Sequence, residues 1–256
     1  MGMFDDEHAI LRDIESVKNL DVCFIPDAMD GAVAFLAAVR DIGSWTKSER
    51  PDFYSDELRL TIEMMRVDDH PKVGKLTNPT LARETEMRRE IREAFPSLGP
   101  EVRIVTIADT GLPTDDDHNF TAYRETFARV VGNHVAKVPA YRKRHPGYTL
   151  ALLVHDESSA YGYVERSSDA PVSDGMTFLA RAHYWFLDTF FTQIVGESGV
   201  DYFFWHTPYK HIWHLDAFGQ KVKAKLPALT VYNVAAMADW NDQLDYNPGK
   251  IVSVEA

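Results

Sequence analysis

Three stretches of this chain gather side chains that can do chemistry. In "PDFYSDELRLTIEMMRVDD" (51–69), Asp52 and Glu63 stand eleven residues apart, with Glu63 inside an otherwise apolar run. Two carboxylates on neighbouring strands can share a Mg²⁺, which in turn can steady a phosphate and activate water. In "VHDESSAY" (154–161), His155, Asp156, Glu157 and Ser158 follow an apolar run and combine acid, base and ligand capability. The third stretch, "YFFWHTPYKHIWH" (202–214), holds His206, His211 and His214 among aromatic residues. Its histidine spacing does not match H-E-x-x-H, and Pro208 interrupts any continuous helix, so zinc is not the expectation. A packed strand end, or a surface on which a base or ring stacks, fits that composition better.

Each group must be held by an element, and the pattern supplies one for each. "LRLTIEMMRV" reads as a strand carrying Glu63 and Arg66, and "YTLALLVHD" as a central strand covered on both faces. "VDYFFWHTP" and "PALTVYNV" read as two more strands, and "EVRIVTIAD" as a further one. Residues 1–20 have helical apolar spacing at Ile10, Leu11, Ile14 and Val17. A second helix is expected from an Asp30 cap to a stop near Gly43, and a third opens at Pro79 after Asn78 and ends at Pro96. "HNFTAYRETFARVVGNHVAKVPAYRKRH" is a long helix with a break at Pro139, and "GMTFLARAHYWFLDTFFTQIVGE" an apolar helix ending near Gly196. Residues 157–175 read as a long polar loop. Strands alternating with helices predict an α/β fold with a mixed, mainly parallel sheet flanked by helices. With such a sheet, the carboxyl ends of the strands would converge on one rim, where His70, His155 and His206 would line a cleft and bind a ligand.

The order helix, Pro51-Asp52, strand with Glu63, helix, strand resembles the PD-(D/E)xK nuclease superfamily over some 80 residues. The resemblance implies a restriction-endonuclease-like core, with Asp at the start of a β-hairpin and the acid-x-Lys element on its second strand. It further implies Mg²⁺ held by Asp52 and Glu63, and a lysine near the attacking water. In this chain Met65 stands where that lysine would be. Arg66 is the next cation, although alternation turns it to the other face, and Lys72 or Lys75 would have to reach in from the following loop. Asp156 and Glu157 would complete the acidic set if their strand lies alongside.

Composition bounds these readings. The 256 residues suit one domain, 1–256, whose first 30 residues form an acidic helical segment with eight acids against two bases. The net charge of −12 argues against diffuse attraction to nucleic acid or anionic lipid. Segment 124–144 runs the other way, with six bases and one acid, and is the place where a nucleic-acid backbone would bind. The single Cys23, in an apolar setting, excludes an internal disulfide framework. No apolar run has membrane-helix length, and the opening "MGMFDDEHAI" lacks a secretory pattern, so a cytoplasmic protein is expected. Glycine-rich phosphate loops and a G-x-S-x-G elbow are absent. Three functions stay open: a metal-dependent phosphodiesterase, active or degenerate; a non-enzymatic interaction domain; and a small-molecule enzyme using the histidines and acids of the strand ends.

Overall fold

A computed structural model describes residues 4–69, 86–87, 89–91, 93–95, 118–164, 177–178, 181–215 and 220–253. Its helices are α1 (Phe4–Ser16), α2 (Asp30–Arg40), α3 (Phe120–Val135), α4 (Val138–Arg144) and α5 (Thr189–Gly196). Seven strands build the main sheet: β1 (Val22–Ile25), β2 (Thr46–Lys47), β3 (Phe53–Ser55), β4 (Leu60–Val67), β5 (Thr149–Asp156), β9 (Tyr202–His206) and β12 (Leu229–Asn233). Two three-stranded sheets hold the others: β7 (Thr177–Phe178), β10 (Trp213–Leu215) and β11 (Lys221–Lys223) in one; β6 (Tyr161–Tyr163), β8 (Arg181–Ala182) and β13 (Ile251–Ser253) in the second.

The main sheet runs β1-β12-β9-β5-β4-β3-β2. Its centre, β4, β5 and β9, is parallel, and β2–β3–β4 form an antiparallel meander. Toward the other edge, β12 is antiparallel to β9 and parallel to β1. The fold is therefore α/β with a mixed sheet, as the alternating pattern predicts.

The continuous apolar run of β5 is explained by burial on both sides. Leu150, Leu152 and Val154 pack with Phe127, Phe191 and Trp205, under α3 and α5. Ala151 and Leu153 pack with Leu11, Ile14, Phe35 and Leu36, under α1 and α2. The apolar face of the acidic N-terminal helix thus closes one of the two cores. Among the described residues, no helix is long and apolar enough to cross a membrane.

Several elements differ from the sequence expectation. The apolar run 175–197 is not one helix: it holds β7, β8, a 3-10 turn at Trp185–Leu187, and only then α5. Asp188 sets the late start, because its Oδ1 caps the Phe190 N–H at 2.9 Å while Oδ2 meets His183 Nε2 at 2.8 Å. The long helix breaks before Pro139: α3 ends at Val135, and Pro139 lies in the first turn of α4, where its missing N–H costs nothing. Asp30 is the first residue of α2, with Met29 at the N-cap position and no side-chain cap hydrogen bond, and the helix ends at Arg40 ahead of Gly43. The polar stretch after residue 157 contains β6, and residues 22–25 add the edge strand β1. Of the helix expected over 79–95, residues 86–87, 89–91 and 93–94 are described and helical. "EVRIVTIAD" lies outside the described residues.

Candidate functional site

Antiparallel register sets the first cluster. Phe53 pairs with Ile62, so the next pair outward is Asp52 opposite Glu63. Directly opposed residues share a face, with Cβ atoms about 4.5–5.5 Å apart. The face is that of α3 and α4, since Met65 and Val67, in step with Glu63, belong to that core. Glu63 is 4% exposed. Its Oε1 accepts the Tyr141 hydroxyl at 2.5 Å and meets His134 Nδ1 at 2.8 Å. Its Oε2 is buried and has no hydrogen-bond partner among the described residues. Asp52 Oδ2 accepts the Met64 N–H at 2.7 Å.

The electrostatics of the pair follow from this geometry. Burial raises the Asp52 carboxyl, the Glu63 charge raises it further, and the Met64 N–H opposes both; the balance is about 7. Burial and the hydrogen bond to Glu63 hold the Tyr141 phenol far above its usual value, so it remains a donor. Around the pair, Arg50 and Arg144 are exposed, and Arg144 Nη1 donates to the Arg50 carbonyl at 2.8 Å. Lys47 meets Glu7 at 2.8 Å. Met65, at the position of the missing lysine, is 6% exposed and packed in the core. Lys72 and Lys75 lie outside the described residues.

The two carboxylates suit a divalent cation of the magnesium kind, which takes one or two carboxylates and fills its remaining positions with water and phosphate oxygens. The orphaned Oε2 of Glu63 points the same way. Among the described residues, no group of three or more His, Cys, Asp or Glu side chains is arranged to hold a metal. That argues against a zinc-type cage, not against a two-carboxylate site.

Asp156 and Glu157 do not join this pair. Glu63 pairs with Leu152, while Asp156 pairs with Val67, four positions further along the parallel strands. At ~3.3 Å per residue the separation is about 13 Å. Asp156 instead anchors a second, buried cluster. It accepts from Tyr123 OH (2.6 Å), Trp205 Nε1 (2.8 Å), Ser158 N (2.9 Å) and Ser158 Oγ (2.6 Å). Lys210 Nζ donates to Ser158 Oγ at 2.5 Å and the Ser159 carbonyl at 3.0 Å, and lies 3.4 Å from Asp156 Oδ2. Asp69 accepts from Ser159 N (2.9 Å), Ser159 Oγ (2.7 Å) and Tyr161 OH (2.7 Å), and meets His118 Nδ1 at 2.9 Å. Burial lowers the Lys210 ammonium against the pull of Asp156 and Asp69. Burial alone would raise the Asp69 carboxyl, but His118, Tyr161 and Ser159 outweigh it and hold it well below the carboxylate range. Asp69, Asp156, Ser158 and Lys210 are each at most 3% exposed. Every carboxylate oxygen in this cluster is already taken, which is the signature of a lock between strands rather than of a site awaiting a ligand.

The third group lies on the opposite face. Arg66, His155 and His206 stand side by side across β4, β5 and β9. The two histidines meet Nδ1 to Nδ1 at 3.0 Å, so one donates and the other accepts, and they are 3% and 0% exposed. Glu157 lies 3.7 Å from His155 Nε2 and 4.0 Å from Arg66 Nη1. Arg66 therefore reaches Glu157 and cannot serve the Asp52–Glu63 pair from the other side of the sheet. The parallel strand ends do bring His155 and His206 together, but as a buried contact. His70 lies outside the described residues, as does the side chain of His214, and His211 is exposed. Phe203, Phe204 and Trp205 are fully buried core and offer no stacking surface, whereas Tyr202, Tyr209 and Trp213 of the same stretch are half-buried.

Sequence reasoning missed His134, Tyr141, Asp69 and Lys210. Their partners stand 49 to 92 residues away, and only the fold pairs them. Comparison with known proteins finds no family model, curated protein or solved structure that matches the chain.

Proposed function

We propose that this chain is a divalent-metal-dependent phosphodiesterase acting on nucleic acid, with Asp52 and Glu63 as its metal-binding carboxylates. The observation that carries the proposal is the register of the β3–β4 hairpin, in which an aspartate at the start of one strand faces a glutamate on the next. That hairpin continues through β4 into a parallel partner, β5, and α2 precedes it. This order supports the resemblance to the PD-(D/E)xK superfamily and its restriction-endonuclease-like core.

Tyr141 and His134 fix Glu63 through one oxygen and leave Oε2 to face a cation. The Met64 N–H does the same for Asp52. A bound Mg²⁺ would supply Lewis-acid activation of water and charge stabilisation at the phosphate. Tyr141 belongs to α4, whose exposed Lys143 and Arg144 suit phosphate contacts beside the pair, while Arg142 is engaged by Asp201 and the Gly199 carbonyl. Among the described residues, Arg50 and Arg144 are the exposed cations beside the pair that would take the part of the missing lysine. The strand-end alternative has less support, because every carboxylate oxygen of the Asp156–Lys210 group is engaged and the His155–His206 pair is buried.

The test is hydrolysis of labelled oligonucleotides with Mg²⁺ or Mn²⁺. The proposal expects metal-dependent cleavage that Glu63→Gln and Asp52→Asn each abolish. No cleavage with either metal, or full cleavage by Glu63→Gln, would overturn it.

A further inference from the structure

Beyond the carboxylate pair, the same face of the hairpin carries a row of partly exposed rings drawn from three separate elements. Tyr54 of β3 is two residues from Asp52 and so on its side of the strand, about 7 Å along. Its ring lies 5.0 Å from that of His145, at the end of α4, and His145 lies 5.2 Å from Tyr148, which leads into β5. Interplanar angles of 33° and 52° make these tilted contacts, and all three residues are half-buried, so part of each stays open to solvent. The Arg59 guanidinium completes the row, 5.6 Å from the Tyr148 centroid.

The row is preformed. Tyr148 OH donates to Asp56 Oδ1 at 2.7 Å, Arg59 Nη2 to the Gly147 carbonyl at 3.4 Å, and Thr149 N to the Arg59 carbonyl at 2.9 Å. Gly147 turns the chain at φ 75°, and a Cβ there would come within 2.9 Å of Arg59 Nη2. Burial and the neighbouring Arg144 push the His145 imidazole down, so at neutral pH it is an uncharged ring. Exposed Arg59, Lys143 and Arg144 flank the row, against Glu57 and the already engaged Asp56.

We infer that Tyr54, His145, Tyr148 and Arg59 form a track for single-stranded nucleic acid, on which unpaired bases stack while the backbone runs toward Asp52 and Glu63. Base faces are available to side chains only when a strand is unpaired, and aromatic and guanidinium planes with flanking cations are the chemistry that takes them. The inference rests on the phosphodiesterase reading for its class of ligand.

The test separates the two. Fluorescence anisotropy is measured in EDTA, where nothing is cleaved, with labelled oligothymidylate, oligouridylate and a matched duplex. Either single strand should bind about tenfold or more tighter than the duplex, and the two homopolymers decide between DNA and RNA. Stacking is worth about 1–3 kcal/mol per base, so Tyr54→Leu and Tyr148→Leu should each weaken binding roughly 5- to 150-fold. Tyr54→Phe should bind as wild type, and Tyr148→Phe, which keeps the ring but loses the bond to Asp56, should bind more tightly than Tyr148→Leu, which guards against a mere folding defect. Equal affinity for duplex and single strand, or wild-type binding by both leucine variants, would overturn the track. Single-strand binding that depends on Tyr54 and Tyr148, by a protein that never cleaves with Mn²⁺, would sink the phosphodiesterase reading and leave the track standing.

Discussion

Replacing Asp52 by Asn should make the protein more stable at alkaline pH, and the size of the gain can be worked from the hairpin. Burial and Glu63 put the Asp52 carboxyl at about 7, about three pH units above its value in an unfolded chain. The native state therefore binds a proton that the unfolded state has already lost, throughout the window from about pH 4 to pH 7. Stability must fall as pH rises through that window and stay lower above it. Three pH units correspond to about 4 kcal/mol, and partial exposure of the carboxyl lowers this to roughly 2–3 kcal/mol. Asparagine keeps an oxygen for the Met64 N–H and removes the charge. Urea denaturation at pH 5 and pH 8 spans about two thirds of that window and should show wild type losing roughly 1.5–2 kcal/mol relative to Asp52→Asn, a relative midpoint shift of roughly 0.5–1 M. Millimolar Mg²⁺ at pH 8 should narrow the gap by stabilising only the protein that retains both carboxylates. Parallel pH profiles for the two proteins would refute the reasoning.

Other consequences concern the buried clusters. Lys210→Met leaves Asp156 and Asp69 without their shared cation and should cost about 3–5 kcal/mol, read as a lower thermal midpoint; a variant as stable as wild type would show that the ammonium is dispensable. Asp69 is held below the carboxylate range, so its contribution is present above about pH 4 and lost as pH falls further. Asp69→Asn should therefore flatten the acid limb of the stability profile, and an unchanged limb would contradict the assignment.

Much of the fold was legible where one physical cause acts alone. The β5 run reads as central because burial on both faces removes any polar alternation, and α1 reads from its apolar stripe. Legibility fails where long-range partners decide. The stretch 175–197 has apolar residues at every phase, and what divides it is Asp188, engaged at once by Phe190 and His183. Strand β1 is four residues long and exists because β12 pairs with it. For the site, the Asp52–Glu63 spacing was visible, since a hairpin is a local structure. Its supports were not, because His134 and Tyr141 arrive from 71 and 78 residues away. Gathering Asp156 and Glu157 with the pair required a register that no local pattern carries, and the observed register keeps them apart. The histidine rim was half legible: parallel strands bring His155 and His206 together, but the core closes over them.

The most direct test of the central claim is calorimetric titration of Mg²⁺ and Mn²⁺ into wild type and Glu63→Gln at pH 8, where Asp52 is ionised. The account predicts a saturable, metal-dependent signal in wild type that Glu63→Gln loses. No heat in wild type, or an identical isotherm in the variant, would contradict it.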